Sequence, residues 1–147
     1  MRLTTRRIAS TGAALAIAVT GLLLGAGASP AFAATSCYAS SCSGLNPADT
    51  TCANDARTIQ TSSFGVELRY SPSCRAAWAR RASGMNGVGD TISVWNNSSS
   101  TPDFNALHVP ANGSGPYYTR MVNDADIKSR ACDVVDNYGG VSCTDWF

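Results

Sequence analysis

The sequence predicts an all-β domain, a small disulfide-stabilised antiparallel sandwich or partly closed barrel, and three observations carry that prediction. Short runs alternate apolar and polar residues with the period of a half-buried strand: Val66, Leu68 and Tyr70 enclose Glu67 and Arg69, and Ile92 and Val94 interleave with Thr91, Ser93 and Trp95. Clusters of Gly, Ser, Asn and Pro at 83–90, 96–103 and 112–116 separate the runs, as turns do. Six cysteines (Cys37, Cys42, Cys52, Cys74, Cys132 and Cys143) all follow residue 33 without a C-x-x-C pair, which favours three disulfides over a zinc knuckle or reactive thiols.

The chain opens with Arg2, Arg6 and Arg7, then runs uncharged from Ile8 to Ala28 through Leu15, Ile17, Val19, Leu22, Leu23 and Leu24. Ala31-Phe32-Ala33 supplies the small residues of a cleavage site, so residues 1–33 read as a secretory signal peptide and residues 34–147 as a single domain. Ala34-Thr35-Ser36 lacks the leucine expected before a lipid-modified cysteine. A secreted, extracellular protein with no membrane attachment after cleavage is expected. Without the three leader arginines the eleven basic residues fall to eight against ten acids, a net charge of −2. Such a surface gains little from counterion release, which argues against a nucleic-acid partner, and nothing draws it to an anionic membrane. Charged residues are only 14% of the chain, against about 25% in ordinary domains, so the disulfides are expected to carry a large share of the stability.

Between Cys37 and Thr51 the small, polar, turn-rich residues, with Gly44 and Asn46-Pro47, predict a disulfide-tied loop. Val66–Tyr70 follows as a strand. Ser71-Pro72 then admits two readings: an N-cap opening a short helix over Arg75–Arg81, or a turn leading to a return strand that places Trp78 and Arg80 on one face. The strand is preferred. Ile92–Trp95, the segment around His108, Tyr117–Val122 and Ala131–Val135 are also read as extended. Six cysteines allow about 15 connectivities; the preferred ones join Cys132 to Cys143 across the last hairpin and pair the first four among themselves.

The stretch Val66-Glu67-Leu68-Arg69-Tyr70-Ser71-Pro72-Ser73-Cys74-Arg75-Ala76-Ala77-Trp78-Ala79-Arg80 is preceded by Cys37-Tyr38-Ala39-Ser40-Ser41-Cys42 and by Asn46-Pro47 ahead of Cys52. Together with Tyr118-Thr119-Arg120-Met121 and Arg130-Ala131-Cys132, it resembles the YjfA family, a secreted bacterial domain of unknown function. The resemblance runs from about Cys37 to Cys143. Its arginine- and alanine-rich usage is similar to that of actinobacterial members. It implies a cysteine-bearing extracytoplasmic domain and supplies no reaction or catalytic residue.

Chemistry-bearing residues are sparse. His108 is the only histidine, Glu67 the only glutamate, and no G-x-S-x-G occurs, so a hydrolase triad has no sequence support and a pair of glutamates is impossible, while a glutamate with an aspartate stays open. Glu67 is expected on the solvent face, paired with Arg75 or Arg80 across a hairpin. Asn123-Asp124-Ala125-Asp126 starts like a calcium loop but lacks the later ligands and glycine, and is read as a solvated turn. No metal, cofactor or catalytic residue is expected. Among the aromatics, Trp78 is assigned to the core, whereas Trp95 faces outward if Ile92 and Val94 face in. Trp95, Tyr117 and Tyr118 are therefore the candidate binding residues, since flat amphipathic rings give contact area at low entropy cost. The function expected is non-enzymatic binding of an envelope or cell-wall glycan or of an extracellular protein, in an inhibitor-like manner. The alternative is a small secreted hydrolase using acidic residues.

Overall fold

A computed structural model of the chain describes residues 34–82, 90–100, 102–110, 114–135 and 139–147. The expected leader at 1–33, residues 83–89 of the turn cluster at 83–90, residue 101 of that at 96–103 and residues 112–113 of that at 112–116 lie outside the described residues. Three short 3₁₀ turns, Ala39–Cys42, Pro47–Asp49 and Thr51–Asn54, open the fold. Nine strands follow: β1 Arg57–Thr61, β2 Val66–Ser71, β3 Ala76–Arg81, β4 Thr91–Asn96, β5 Phe104–His108, β6 Tyr117–Tyr118, β7 Val122–Asn123, β8 Ser129–Val135 and β9 Gly140–Cys143.

They form two antiparallel sheets. The first runs β1-β2-β3, with β6 and β7 both pairing along β3; the second runs β5-β4-β8-β9. Neither sheet closes on itself. Their inner faces meet, burying Val66, Leu68, Ala77 and Ala79 from the first against Ile92, Val94 and Ala131 from the second. The result is the sandwich of the two expected architectures, with a core of mainly small aliphatic residues.

Residues 76–81 form strand, not helix. The β2–β3 register pairs Ser71 with Ala76 and Val66 with Arg81, so Pro72–Arg75 is a four-residue loop. Asp55 holds that loop: its carboxylate accepts from Ser71 Oγ at 2.5 Å and from the Ser73 N–H at 2.8 Å. Arg75 closes the loop with φ 51°, in the left-handed region that a β-hairpin loop of this length draws on.

β3 is buried on both faces, and the second face explains the N-terminal cysteines. Ala76 and Trp78 point away from the sandwich and are covered by Cys42, Cys52, Cys74 and Met121, so Trp78 is a core residue of a second, smaller cluster. Disulfides Cys37–Cys42 and Cys52–Cys74 tie the 3₁₀ segment to itself and to the end of the β2–β3 loop, while Cys132–Cys143 joins opposed residues of β8 and β9. Side-chain caps set the turns: Asn46 accepts from the Ala48 N–H and Thr50 from the Cys52 N–H, as Asx and Thr turns do.

One strand was not anticipated and two expectations are corrected. β1 carries no strong strand signal: it lies at a sheet edge and Ile59 is its one aliphatic residue. Tyr117–Val122 is not one strand: the Thr119 N–H still donates to the Ala79 carbonyl at 3.0 Å, but the Ala79 N–H donates to Thr119 Oγ1 at 3.1 Å instead of to a main-chain carbonyl, and the run divides into β6 and β7. Asp124 is not in a solvated turn. It is 5% exposed and accepts from Ser129 Oγ at 2.8 Å.

Candidate functional site

The alternation in β4 places Ile92 and Val94 inside and Trp95 outside, 40% exposed. Phe104 on β5 stands opposite Trp95. The two rings lie 4.1 Å apart between centroids at a tilt of 43°, while the Trp95 Nε1–H donates to Ser93 Oγ at 3.1 Å and fixes the indole. Arg130 on β8 opposes Trp95 on its other side, and directly opposed residues share a sheet face. The Arg130 guanidinium in turn lies 4.5 Å over the Trp146 ring, within cation–π range. A row Phe104–Trp95–Arg130–Trp146 therefore crosses the outer face of the second sheet. Of the seven large hydrophobics that stand exposed among the described residues, Trp95, Phe104, Val141 and Trp146 belong to this region.

Sequence reasoning singled out Trp95 and missed Phe104 and Arg130. The signal was present for Phe104: with Leu107 and Val109 turned inward, period two turns Phe104, Ala106 and His108 outward, which matches the burial pattern of β5.

Tyr117 and Tyr118 do not join Trp95. As neighbours on one strand they face opposite ways: Tyr117 packs against the sandwich core, and Tyr118 against the disulfide-covered cluster. Tyr118 does line two clefts, each of about 230 Å³. One is polar, with Asn46, Asn105, Thr119 and Arg120. The other holds Ala48, Ala53, Ala56 and Trp78 beside Arg69 and Arg80.

Six carboxylates among the described residues, Asp55 included, bond structural partners. Glu67 Oε2 accepts from Arg80 Nε at 2.6 Å and from Thr58 Oγ1 at 3.3 Å, the cross-hairpin pair expected of it, while Arg75 pairs with Asp126. Asp90 and Asp133, 3% and 0% exposed, both bind the guanidinium of buried Arg81. Burial also raises the Asp124 carboxyl to about 6 against the opposing influence of Ser129 and Arg75. Neither cleft beside Tyr118 is lined by an acid. His108 is exposed on β5 with Nδ1 3.5 Å from Thr91 Oγ1. The four sulfurs of Cys37, Cys42, Cys52 and Cys74 lie within 4.8 Å of one another, a spacing that suits tetrahedral zinc only for free thiolates; here they are two disulfides.

Fold and surface together define an all-β, disulfide-bonded domain with an exposed aromatic sheet face and a pair of small clefts. Residues 40–132 match a family described as a protein of unknown function (DUF2690), and the chain belongs to that family. No curated protein and no solved structure matches it. Among the described residues, no helix is long and apolar enough to cross a membrane.

Proposed function

We propose that this chain is a secreted, YjfA-like binding domain that docks on an envelope glycan through the outer face of its second sheet. One observation carries the reading: the cross-strand row Phe104–Trp95–Arg130–Trp146, held in register by β5, β4 and β8. Successive strands lie about 4.8 Å apart, so Phe104 to Arg130 spans roughly 10 Å of sheet surface before Trp146 extends it. Flat rings on a sheet face suit the apolar faces of sugar rings, and the guanidinium adds directed hydrogen bonds to hydroxyls. An inhibitor-like role asks for a projecting rigid loop, whereas the disulfide-tied segment is packed down on the first sheet with Cys42, Cys52 and Cys74 buried. Secretion agrees with three disulfides and no free cysteine among the described residues, since such bonds persist in oxidising compartments.

Sedimentation of the oxidised protein with an insoluble cell-wall glycan preparation tests the reading. Trp95→Ala is expected to weaken binding more than about fivefold, the equivalent of 1 kcal/mol for a central aromatic contact, while Glu67→Gln and His108→Ala leave it unchanged. Retention of full binding by a folded Trp95→Ala, Trp146→Ala double variant overturns it.

A further inference from the structure

The apolar cleft beside Tyr118 carries an unbalanced charge. Arg69 and Arg80 both line it, and Glu67, which bonds Arg80, is the one carboxylate paired with either guanidinium among the described residues. Arg69 is anchored: its terminal nitrogens donate to Thr58 Oγ1 and to the Ala56 carbonyl, each at 2.8 Å, and its Nε is buried without a partner. Burial, and next the proximity of Arg80, lower the Arg69 pKa, with Glu67 opposing them. Arg80 donates through Nε alone among the described residues, which leaves its two terminal nitrogens for a further acceptor. Two like charges sharing one counter-ion at a half-buried site favour a second anion.

The rest of the lining limits which anion. Pro47, Ala48, Ala53 and Ala56 line it together with Trp78 and Tyr118 around about 230 Å³, room for a small aliphatic group next to the charge. Tyr118 also walls the polar cleft, where Asn46, Asn105 and Arg120 offer amide and guanidinium groups. Beyond their bonds to the Ala48 N–H, the Met121 carbonyl and the Gly44 carbonyl, these three side chains keep further donors and acceptors for a peptide that passes Tyr118. We infer that the paired clefts bind the free C-terminal carboxylate of a peptide ending in alanine or a similarly small residue, with the carboxylate on Arg80, the last methyl against the alanines and the preceding amide on the polar side. The site is separate from the aromatic face and does not depend on it.

The test titrates ¹⁵N-labelled oxidised full-length mature protein with N-acetyl-Ala-Ala, with its C-terminal amide, and with inorganic phosphate. Expected are saturable shifts at the Trp78 indole N–H and Arg80 Nε–H for the free acid, at least tenfold weaker binding of the amide, the loss of a charge-assisted bond, and phosphate weaker than the acid because it leaves the methyl pocket empty. Arg80→Gln, a partly exposed position, and Ala53→Leu, which fills the cleft from an exposed residue, should each remove binding while retaining the wild-type spectrum elsewhere. Equal binding of acid and amide by the wild-type protein, phosphate displacing the acid at equal concentration, or no saturable shift at either reporter overturns the inference, and these readings need no variant.

Discussion

Replacing Asp124 with Asn should stabilise the protein at neutral pH and leave it unchanged in acid. The carboxyl sits at about 6 in the folded protein against an ordinary 3.8, burial being the main cause, with the Ser129 hydroxyl and Arg75 pulling the other way. A folded-state value above the unfolded one means that the folded protein holds the proton more tightly. The associated stability is complete below about pH 3.8 and is lost as pH rises through 6. The interval of about two units corresponds to about 3 kcal/mol at most, and partial screening of the charge lowers this to roughly 1–2 kcal/mol. Asparagine keeps an oxygen for the Ser129 Oγ donor that now bonds Oδ1 and carries no charge at any pH. Guanidinium denaturation followed by tryptophan fluorescence at pH 4 and 7.5 measures the difference. Wild type should lose stability between the two, relative to Asp124→Asn, by that amount. Parallel pH profiles for the two proteins from 4 to 7, or a variant less stable at pH 7.5, would refute the assignment of the cost to a buried carboxylate. Asp55 does not confuse the comparison. Burial raises its pKa, but the bonds from Ser71 and Ser73 outweigh that and set it below the ordinary value, so its contribution is lost only as pH falls below the window used.

Two further outcomes concern what holds the sandwich together. Arg81→Met leaves Asp90 and Asp133 buried without their shared cation, and should cost about 3–5 kcal/mol; a melting temperature within a few degrees of wild type would show that the triad is dispensable. Removing the Cys52–Cys74 bridge, whose ends lie 22 residues apart, or Cys132–Cys143, 11 apart, should cost about 3 kcal/mol each by loop entropy. Full reduction should abolish the cooperative transition in calorimetry, and a transition unmoved by reductant would contradict this.

The aromatic surface shows how far local pattern reaches. Period two in β4 was enough to turn Trp95 outward once Ile92 and Val94 were taken as core, and the same count applied to β5 turns Phe104 outward. Nothing local sets Arg130 beside Trp95 or brings Trp146 over it. Those neighbours come from the β4–β8 register, which joins residues 35 apart, and from the return of the chain's last residues, which brings Trp146 to a residue 16 positions before it. Tyr118 was legible as a candidate, but its clefts were not, since their walls come from the 3₁₀ segment, β2, β3, β5 and β6.

By itself, the sequence determined the fold class, through alternation and turn punctuation, and the presence of disulfides, through an even cysteine count without a metal-knuckle spacing. It also determined that Glu67 would sit opposite a cross-hairpin arginine, because both lie in one hairpin whose loop the Ser71-Pro72 turn sets. Only the tertiary structure decided that β3 is covered on both sides, that Asp124 and the Arg81 triad are interior, and that Arg69 and Arg80 converge on an alanine-lined cleft. The reason is physical: alternation reports which side of its own strand a residue faces, whereas burial depends on what the rest of the chain lays over that side. Here the cover over Trp78 is a segment without regular strand or helix pattern, held in place by Cys52–Cys74.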